Sequence, residues 1–155
     1  MRISFDIDDT LICLHSGALH EPNRVPWLIR RWLDEPLRLG SVRLIKRLVE
    51  CGCRVGIYTT SLRSPGYIRA WLGFYGIRPA FVVNDRIHQS AVERHRLTER
   101  PSKYPPAFQI DLHVDDSEGV RMEGIAYGFS VVVIDPLDDR WEEKILAEVD
   151  RRLRG

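Results

Sequence analysis

Residues 2–10 read RISFDIDDT and combine a strand pattern with three closely spaced aspartates. Its apolar residues alternate with polar ones, and β-branched and aromatic side chains favour a short strand. The strand runs directly into a carboxylate cluster, Asp6, Asp8 and Asp9. Carboxylates this close repel one another, so we expect a counter-charge, most simply a hard divalent cation bound through oxygen atoms.

The rest of the chain alternates between strand and helix patterns. Further strands are predicted at residues 54–59, 81–83, 109–114 and 130–134, with helices from Ser41 to Gly52, from Ser64 to Gly76, at 86–96, at 120–127 and after Asp138 or Asp139. Ser41 and Ser64 are the predicted caps of their helices. This alternation predicts a Rossmann-like α/β/α sandwich with a five-stranded parallel sheet covered on both faces.

Polar residues follow three of the predicted strands. In parallel sheets, ligands bind at the carboxyl ends of the strands, which all lie at one edge. Each polar cluster alone is also typical of a cap or a turn. Together they predict a site at that edge, formed by Asp6 and Asp8 after the first strand, Thr59, Thr60 and Ser61 after the second, and Asp115 and Asp116 after the fourth.

Composition limits the function classes. The 155 residues are 44% hydrophobic and 29% charged, which predicts one globular domain over residues 1–155. A net charge of +1 provides no case for wholesale nucleic-acid or membrane binding, although it leaves room for a local basic patch.

The three cysteines lack the spacing of a zinc or disulfide framework. No stretch is apolar enough to span a bilayer, so we expect a cytoplasmic protein. Nothing in the sequence indicates the oligomeric state.

Residues 11–37 are the least regular part, and we interpret them as a small flap over the site. Within them VPWLIRRWL, residues 25–33, predicts a short helix. Trp27 and Trp32, with Arg30 and Arg31, either contact the leaving group of a substrate or simply pack against the fold. Elsewhere, His88 and His95 share a predicted helical face, and we expect both at the solvated surface.

DIDDT, residues 6–10, resembles the first motif, D-x-D-x-T, of the haloacid dehalogenase-like (HAD) superfamily. The resemblance implies that Asp6 is the nucleophile that takes a phosphoryl group and that Asp8 is the general acid and base. Thr59 matches the second motif, whose hydroxyl donates to a phosphate oxygen, and the backbone N–H of Thr60 is expected to assist.

HVDDS, residues 113–117, matches the fourth motif of the same superfamily. It implies that Asp116 binds Mg²⁺ together with Asp6 and the backbone carbonyl of Asp8. It also implies that Asp115 supports these ligands without binding the metal directly. Many relatives have a further Asp a few residues on, where this chain has Glu118 and Glu123.

The third motif is a basic residue before the fourth strand. Lys103, in RPSKYPP at residues 100–106, matches it, and Arg100 is the alternative. Relatives often place a helix between this lysine and the strand, whereas this chain has a short proline-containing link.

The resemblance covers nearly the whole chain and implies the strand order 5-4-1-2-3 without a cap domain. It implies a Mg²⁺-dependent phosphatase that acts through an aspartyl-phosphate on an unidentified phosphomonoester, small or macromolecular. Asp8 favours phosphoryl chemistry, because dehalogenase members usually lack the second Asp.

Two alternatives stay open. One is a receiver-like binding module that uses Asp8, Asp9 and Asp85, although it needs a lysine after the fifth strand, where the chain has Asp135 and Pro136. The other is a catalytically silent HAD-fold protein that binds metal or phosphate.

Overall fold

A computed structural model describes residues 1–97 and 99–154. Its centre is one five-stranded, all-parallel sheet with the order β3-β2-β1-β4-β5. The predicted sheet and strand order are therefore confirmed. The strands are β1 (Arg2–Phe5), β2 (Arg54–Tyr58), β3 (Val82–Val83), β4 (Leu112–Asp115) and β5 (Val131–Val133).

Helices connect the strands and complete a three-layer α/β architecture. The α-helices are α1 (Arg30–Leu33), α2 (Ser41–Glu50), α3 (Pro65–Phe74), α4 (Asp85–His95), α5 (Glu118–Tyr127) and α6 (Trp141–Arg154). Helices α2 and α6 contact each other, while α3 and α4 both contact β3 and α5 contacts β5. Two short 3₁₀ helices, Trp27–Ile29 and Pro105–Phe108, lie in the connections.

The two predicted serine caps differ in outcome. Ser64 caps α3, because its Oγ accepts a hydrogen bond from the backbone N–H of Tyr67 at 3.1 Å. The predicted cap of α2 is wrong, since Ser41 is already helical and Gly40, at φ 90°, precedes it. The Glu21 carboxylate satisfies this helix end instead, accepting from the N–H groups of Gly40 at 3.1 Å and Val42 at 3.2 Å.

The fourth strand begins later than predicted. Gln109 has φ 54°, in the left-handed region, and ends the Pro105–Phe108 3₁₀ helix. Extended pairing is therefore delayed until Leu112, which lies beside Ile3 of β1. The strand also ends one residue later than predicted, at Asp115 instead of Val114, and Asp115 lies at the edge of the sheet that carries the site.

Two buried indoles fix helices to the sheet and to the flap. Trp71 of α3 and Trp141 of α6 are almost completely inaccessible to solvent. Burying such a side chain removes about 150–250 Å² from water, worth roughly 4–6 kcal/mol before conformational entropy is subtracted. The indole N–H of Trp71 donates to the carbonyl oxygen of Glu35 at 2.9 Å. The end of the flap is thereby attached to α3.

Within residues 1–97 and 99–154, none of the helices combines the length and the hydrophobicity that crossing a membrane requires.

Candidate active site

The predicted polar clusters meet at the carboxyl edge of the sheet. Asp6 directly follows β1, and its N–H donates to the carbonyl of Val114 in β4 at 2.9 Å. Thr59 directly follows β2, and its N–H donates to the carbonyl of Val83 in β3 at 2.9 Å. Asp115 is the last residue of β4. Parallel pairing therefore extends just past the strand ends and fixes the backbone of the site.

Lys103 occupies the centre of this edge. Its Nζ donates to Oδ1 of Asp6 at 2.5 Å and to the carbonyl of Tyr58 at 3.0 Å, and it lies 3.5 Å from Oδ2 of Asp115. Only 2% of Lys103 is exposed, whereas Arg100 lies at the surface. Of the two basic residues left open by the sequence, Lys103 is thus the one that contacts Asp6.

The positive charge of Lys103 does not fully compensate for the burial of the Asp6 carboxylate and for the nearby Asp115. Burial raises the pKa of Asp6, the nearby Lys103 ammonium works in the opposite direction, and the Asp115 carboxylate raises it again. The net direction is upward from the ordinary value. A further cation near Asp6 would favour its ionised form.

Asp115 is fully engaged by the protein. Its Oδ1 accepts from the N–H of Ser117 at 2.9 Å, and its Oδ2 lies 3.0 Å from Nε2 of His113. Burial lowers the pKa of His113, which favours its neutral ring, and an acceptor-only carboxylate requires the proton on Nε2. His113 Nδ1 then accepts from the hydroxyl of Ser4 at 2.8 Å. Burial alone would raise the pKa of Asp115, but the His113 hydrogen bond and the charge of Lys103 hold it below its usual value.

Asp116 is half-buried, and its pKa is shifted in the opposite direction from that of Asp115. Burial raises its pKa, and the charge of Asp115 raises it further. In the part of the chain that the structure describes, no three His, Cys, Asp or Glu side chains form a group that could hold a metal ion. Mg²⁺ does not require one, because it usually takes one or two carboxylates and completes its shell with waters and substrate phosphate. Asp6 and Asp116 both have raised pKa values, and a cation beside either carboxylate would offset that rise.

The side chain of Asp8 lies at the open side of the site, 54% exposed. Nη1 of Arg63 donates to its Oδ2 at 2.9 Å, and Nε of Arg63 donates to Oε1 of Glu35 at 2.8 Å. The hydroxyl of Tyr67 donates to the same Glu35 oxygen at 3.0 Å. Although burial works against its charge, the hydrogen bonds to Asp8 and Glu35 raise the pKa of the Arg63 guanidinium. Asp8 is therefore tied to the end of the flap.

The two threonines have different environments. Thr59 is buried, and its Oγ1 accepts from the N–H of Ser61 at 3.1 Å. That contact leaves the hydroxyl proton of Thr59 available to a phosphate oxygen. Thr60 is exposed at the beginning of the following loop.

A buried hydrogen-bond chain holds the loop that carries Lys103. The hydroxyl of Tyr58 donates to Nδ1 of His88 at 2.6 Å and accepts from the N–H of Tyr104 at 2.7 Å. His88 Nε2 donates to the carbonyl of Pro101 at 3.0 Å. The expectation of a solvated His88 is therefore wrong, since only 2% of it is exposed. Burial also lowers its pKa.

Glu123 of α5 holds the same loop from the other side. It accepts from the N–H of Ser102 at 2.8 Å, from the hydroxyl of Ser102 at 2.7 Å and from the N–H of Lys103 at 3.2 Å. These contacts attach Ser102 and Lys103 to α5, ahead of the Pro105–Phe108 3₁₀ helix. No local pattern marked Glu123, His88, Arg63 or Glu35, because their partners lie far away along the chain.

The flap presents its tryptophans to solvent. Trp27 is 77% exposed and Trp32 is 60% exposed, so neither indole belongs to the core. The guanidinium of Arg31 lies 4.5 Å from the centre of the Trp32 ring, and Nε of Arg30 donates to the carbonyl of Val25 at 2.9 Å. Neither interpretation of these tryptophans is decided by this exposure, so contact with a leaving group and packing against the surface of the fold both stay predictions.

A comparison with models of protein families finds no match for this chain, and a comparison with curated protein sequences finds none either.

Proposed function

We propose that this protein is a haloacid dehalogenase-like, Mg²⁺-dependent phosphatase that hydrolyses a phosphomonoester through an aspartyl-phosphate on Asp6. The observation that carries the proposal is the 2.5 Å contact between Lys103 Nζ and Asp6 Oδ1 at the carboxyl edge of the sheet. A buried lysine there orients the carboxylate and offsets part of the charge that a phosphate would bring.

In the first step, a carboxylate oxygen of Asp6 attacks phosphorus in line, and the bond from phosphorus to the leaving oxygen breaks. Asp8 gives a proton to that leaving oxygen. Lys103 and the hydroxyl of Thr59 stabilise the charge on the phosphoryl oxygens. The products of this step are the free alcohol and phosphorylated Asp6.

In the second step, Asp8 takes a proton from a water molecule, which attacks the same phosphorus. The bond between phosphorus and Asp6 breaks, and inorganic phosphate leaves. The net reaction consumes one phosphomonoester and one water. A bound Mg²⁺, held by Asp6, Asp116 and the carbonyl of Asp8, would supply electrostatic stabilisation of the phosphoryl oxygens.

We assign Asp115 and His113 to holding the catalytic side chains in place, without contact to the substrate. Both oxygens of Asp115 accept hydrogen bonds from the protein, and its charge faces Lys103 at 3.5 Å. We assign Asp115 to orienting Lys103, and Asp116 to the metal. The exposure of the Asp8 side chain agrees with a capless site that admits a bulky substrate. The cytoplasmic location and the single-domain organisation stay predictions.

The test is Mg²⁺-dependent release of phosphate from p-nitrophenyl phosphate. We expect turnover by the wild type that stops on chelation, and a loss of at least about three orders of magnitude, roughly 4 kcal/mol, in Asp6→Asn. Asp139→Asn is the matched control, because Asp139 is an exposed aspartate outside the site. An inert wild type, or an Asp6→Asn variant with normal turnover, would contradict the proposal. Stable phosphorylation without release of phosphate would favour the receiver-like module.

A further inference from the structure

A basic groove of about 710 Å³ lies along α2, beside the flap. Four basic side chains line it, Arg24, Arg43, Lys46 and Arg47, against two acidic ones, Glu21 and Glu50. The chain as a whole carries a net charge of only +1. The lining of the groove therefore carries more positive than negative side chains.

The acidic residues of the groove are already engaged. Glu21 accepts from the first N–H groups of α2, and Glu50 lies 3.9 Å from Lys46. Arg43 is engaged as well, because its guanidinium forms a bidentate pair with Glu142, whose side chain is only 14% exposed. Arg24 and Arg47 form no ion pair with any residue that the structure describes. Two guanidinium groups are thus available for an anionic ligand.

The flap extends this basic surface with aromatic side chains. Residues 22–33, PNRVPWLIRRWL, contain three arginines and no acidic residue. Arg24 belongs to both the flap and the groove. Trp27 and Trp32 lie in the same stretch with most of their surface exposed, and Arg31 lies over the Trp32 ring. Guanidinium groups interleaved with exposed indoles match the phosphates and bases of an unpaired strand.

The flap and the groove are each connected to the proposed active site by hydrogen bonds. Glu35, near the end of the flap, shares Arg63 with Asp8. Leu39 lines the groove, and the N–H of the preceding residue, Arg38, donates to the carbonyl of Leu11 at 2.7 Å, in the loop that follows Asp6 and Asp8.

We propose that the flap and the groove along α2 bind single-stranded nucleic acid, and that a terminal phosphate of the strand is the phosphomonoester presented to Asp6. The second half of this inference rests on the proposed function, whereas binding does not. Bases stack on Trp27 and Trp32, and phosphodiesters contact Arg24 and Arg47. Stacking requires unpaired bases, which favours a single strand over a duplex.

The experiment measures fluorescence anisotropy of labelled oligothymidylate and oligouridylate of about 12 nucleotides, within the usual range of about 4–16 nucleotides for single-strand sites. Each is used with a 5′-phosphate, with a 3′-phosphate and with neither, and a duplex and an acidic phosphopeptide serve as competitors. The full-length Asp6→Asn chain is the binding protein, because it prevents turnover. Wild type is then assayed for phosphate release from the same oligonucleotides.

We expect binding that weakens with salt. Replacing Arg24 and Arg47 by Gln should reduce the slope of log affinity against log salt by about 1.4, or about 0.7 for each lost phosphate contact. Replacing Trp27 or Trp32 by Ala should weaken binding by roughly tenfold for each indole that stacks. The charge-matched control replaces Arg54 and Arg94, exposed residues at the opposite end of β2 and on α4, and should leave the slope unchanged.

The outcomes separate this inference from the proposed function. Oligonucleotide binding that depends on Trp27, Trp32, Arg24 and Arg47 supports the surface even if p-nitrophenyl phosphate is not hydrolysed. Release of a terminal phosphate supports the whole inference. Hydrolysis of p-nitrophenyl phosphate without oligonucleotide binding, binding that is equally weakened by the control variant, or preference for the phosphopeptide would overturn it.

Discussion

Arg63 donates a hydrogen bond of 2.9 Å to the carboxylate of Asp8. The same guanidinium reaches Glu35 at the end of the flap, and the carbonyl of Arg63 accepts from the side-chain amide of Asn84 at 3.1 Å. Arg63 is thereby held at both its backbone and its side chain. Arg63 therefore fixes the orientation of the Asp8 carboxylate, which we assign to proton transfer.

Arg63→Ala is expected to affect substrates according to their leaving groups. A catalytic group displaced by about 1 Å loses roughly 100-fold in rate, so kcat for an alkyl phosphate should fall by about 10- to 100-fold. The loss should be smaller for p-nitrophenyl phosphate, whose leaving oxygen hardly needs a proton. Arg63→Lys should recover little, because an ammonium cannot bridge two carboxylates as a guanidinium does. Arg86→Ala is the control, since Arg86 is exposed on α4. An equal loss of kcat with both substrates would contradict the role of Arg63 in orienting Asp8 for proton transfer.

Lys103→Met should destabilise the protein strongly. The substitution leaves Asp6 and Asp115 buried without their common cation, and breaking a buried ion pair costs about 3–5 kcal/mol. Part of that loss should disappear in the Asp6→Asn background, where one of the two carboxylates is absent. Urea unfolding of the two single variants and the double variant measures the coupling. Lys46→Met, at an exposed position, should change the free energy of unfolding little, and strictly additive losses at Lys103 and Asp6 would argue against the pair.

His88 should make the free energy of unfolding depend on pH. Burial lowers its pKa below the usual 6.5, so below about pH 6.5 the unfolded chain binds a proton that the folded chain does not. Its contribution is complete above that pH and decreases on acidification, with a slope of up to about 1.4 kcal/mol per pH unit. In urea unfolding across this range, His88→Gln should show a shallower dependence. His95→Gln, at an exposed residue of the same helix, should keep the wild-type slope.

Glu123→Gln should loosen the loop that carries Lys103 while leaving the sheet intact. The carboxylate accepts three hydrogen bonds from Ser102 and Lys103, and a charged acceptor is worth more than a neutral amide. We expect faster hydrogen exchange at the amides of Ser102 and Lys103, about tenfold for each 1.4 kcal/mol lost. Glu118→Gln is the control on the same helix, because the Glu118 side chain pairs with exposed Arg121. Unchanged exchange at Ser102 and Lys103 would show that the Tyr58 and His88 contacts alone hold the loop.

Element type and order could be predicted well because they follow local periodicity. The RISF strand, the apolar stripe of α3 and the Ser64 cap all depend on residues within one turn or one strand of each other. Element ends were less predictable where a distant residue intervenes. Glu21, twenty positions before Ser41, satisfies the start of α2 and displaces the expected serine cap. His88 was misjudged because its face of α4 is covered by Tyr58 and Pro101.

Local periodicity is enough to predict that carboxylates and hydroxyls follow the strands of a parallel sheet, whose carboxyl ends meet at one edge. The partners of these side chains depend on tertiary packing. Lys103 lies 97 positions from Asp6, and Arg63 lies 55 positions from Asp8. The basic groove likewise combines Arg24 of the flap with Arg43, Lys46 and Arg47 of α2. Such contacts arise only when the chain is packed around a common core, because they join residues that are far apart along the sequence.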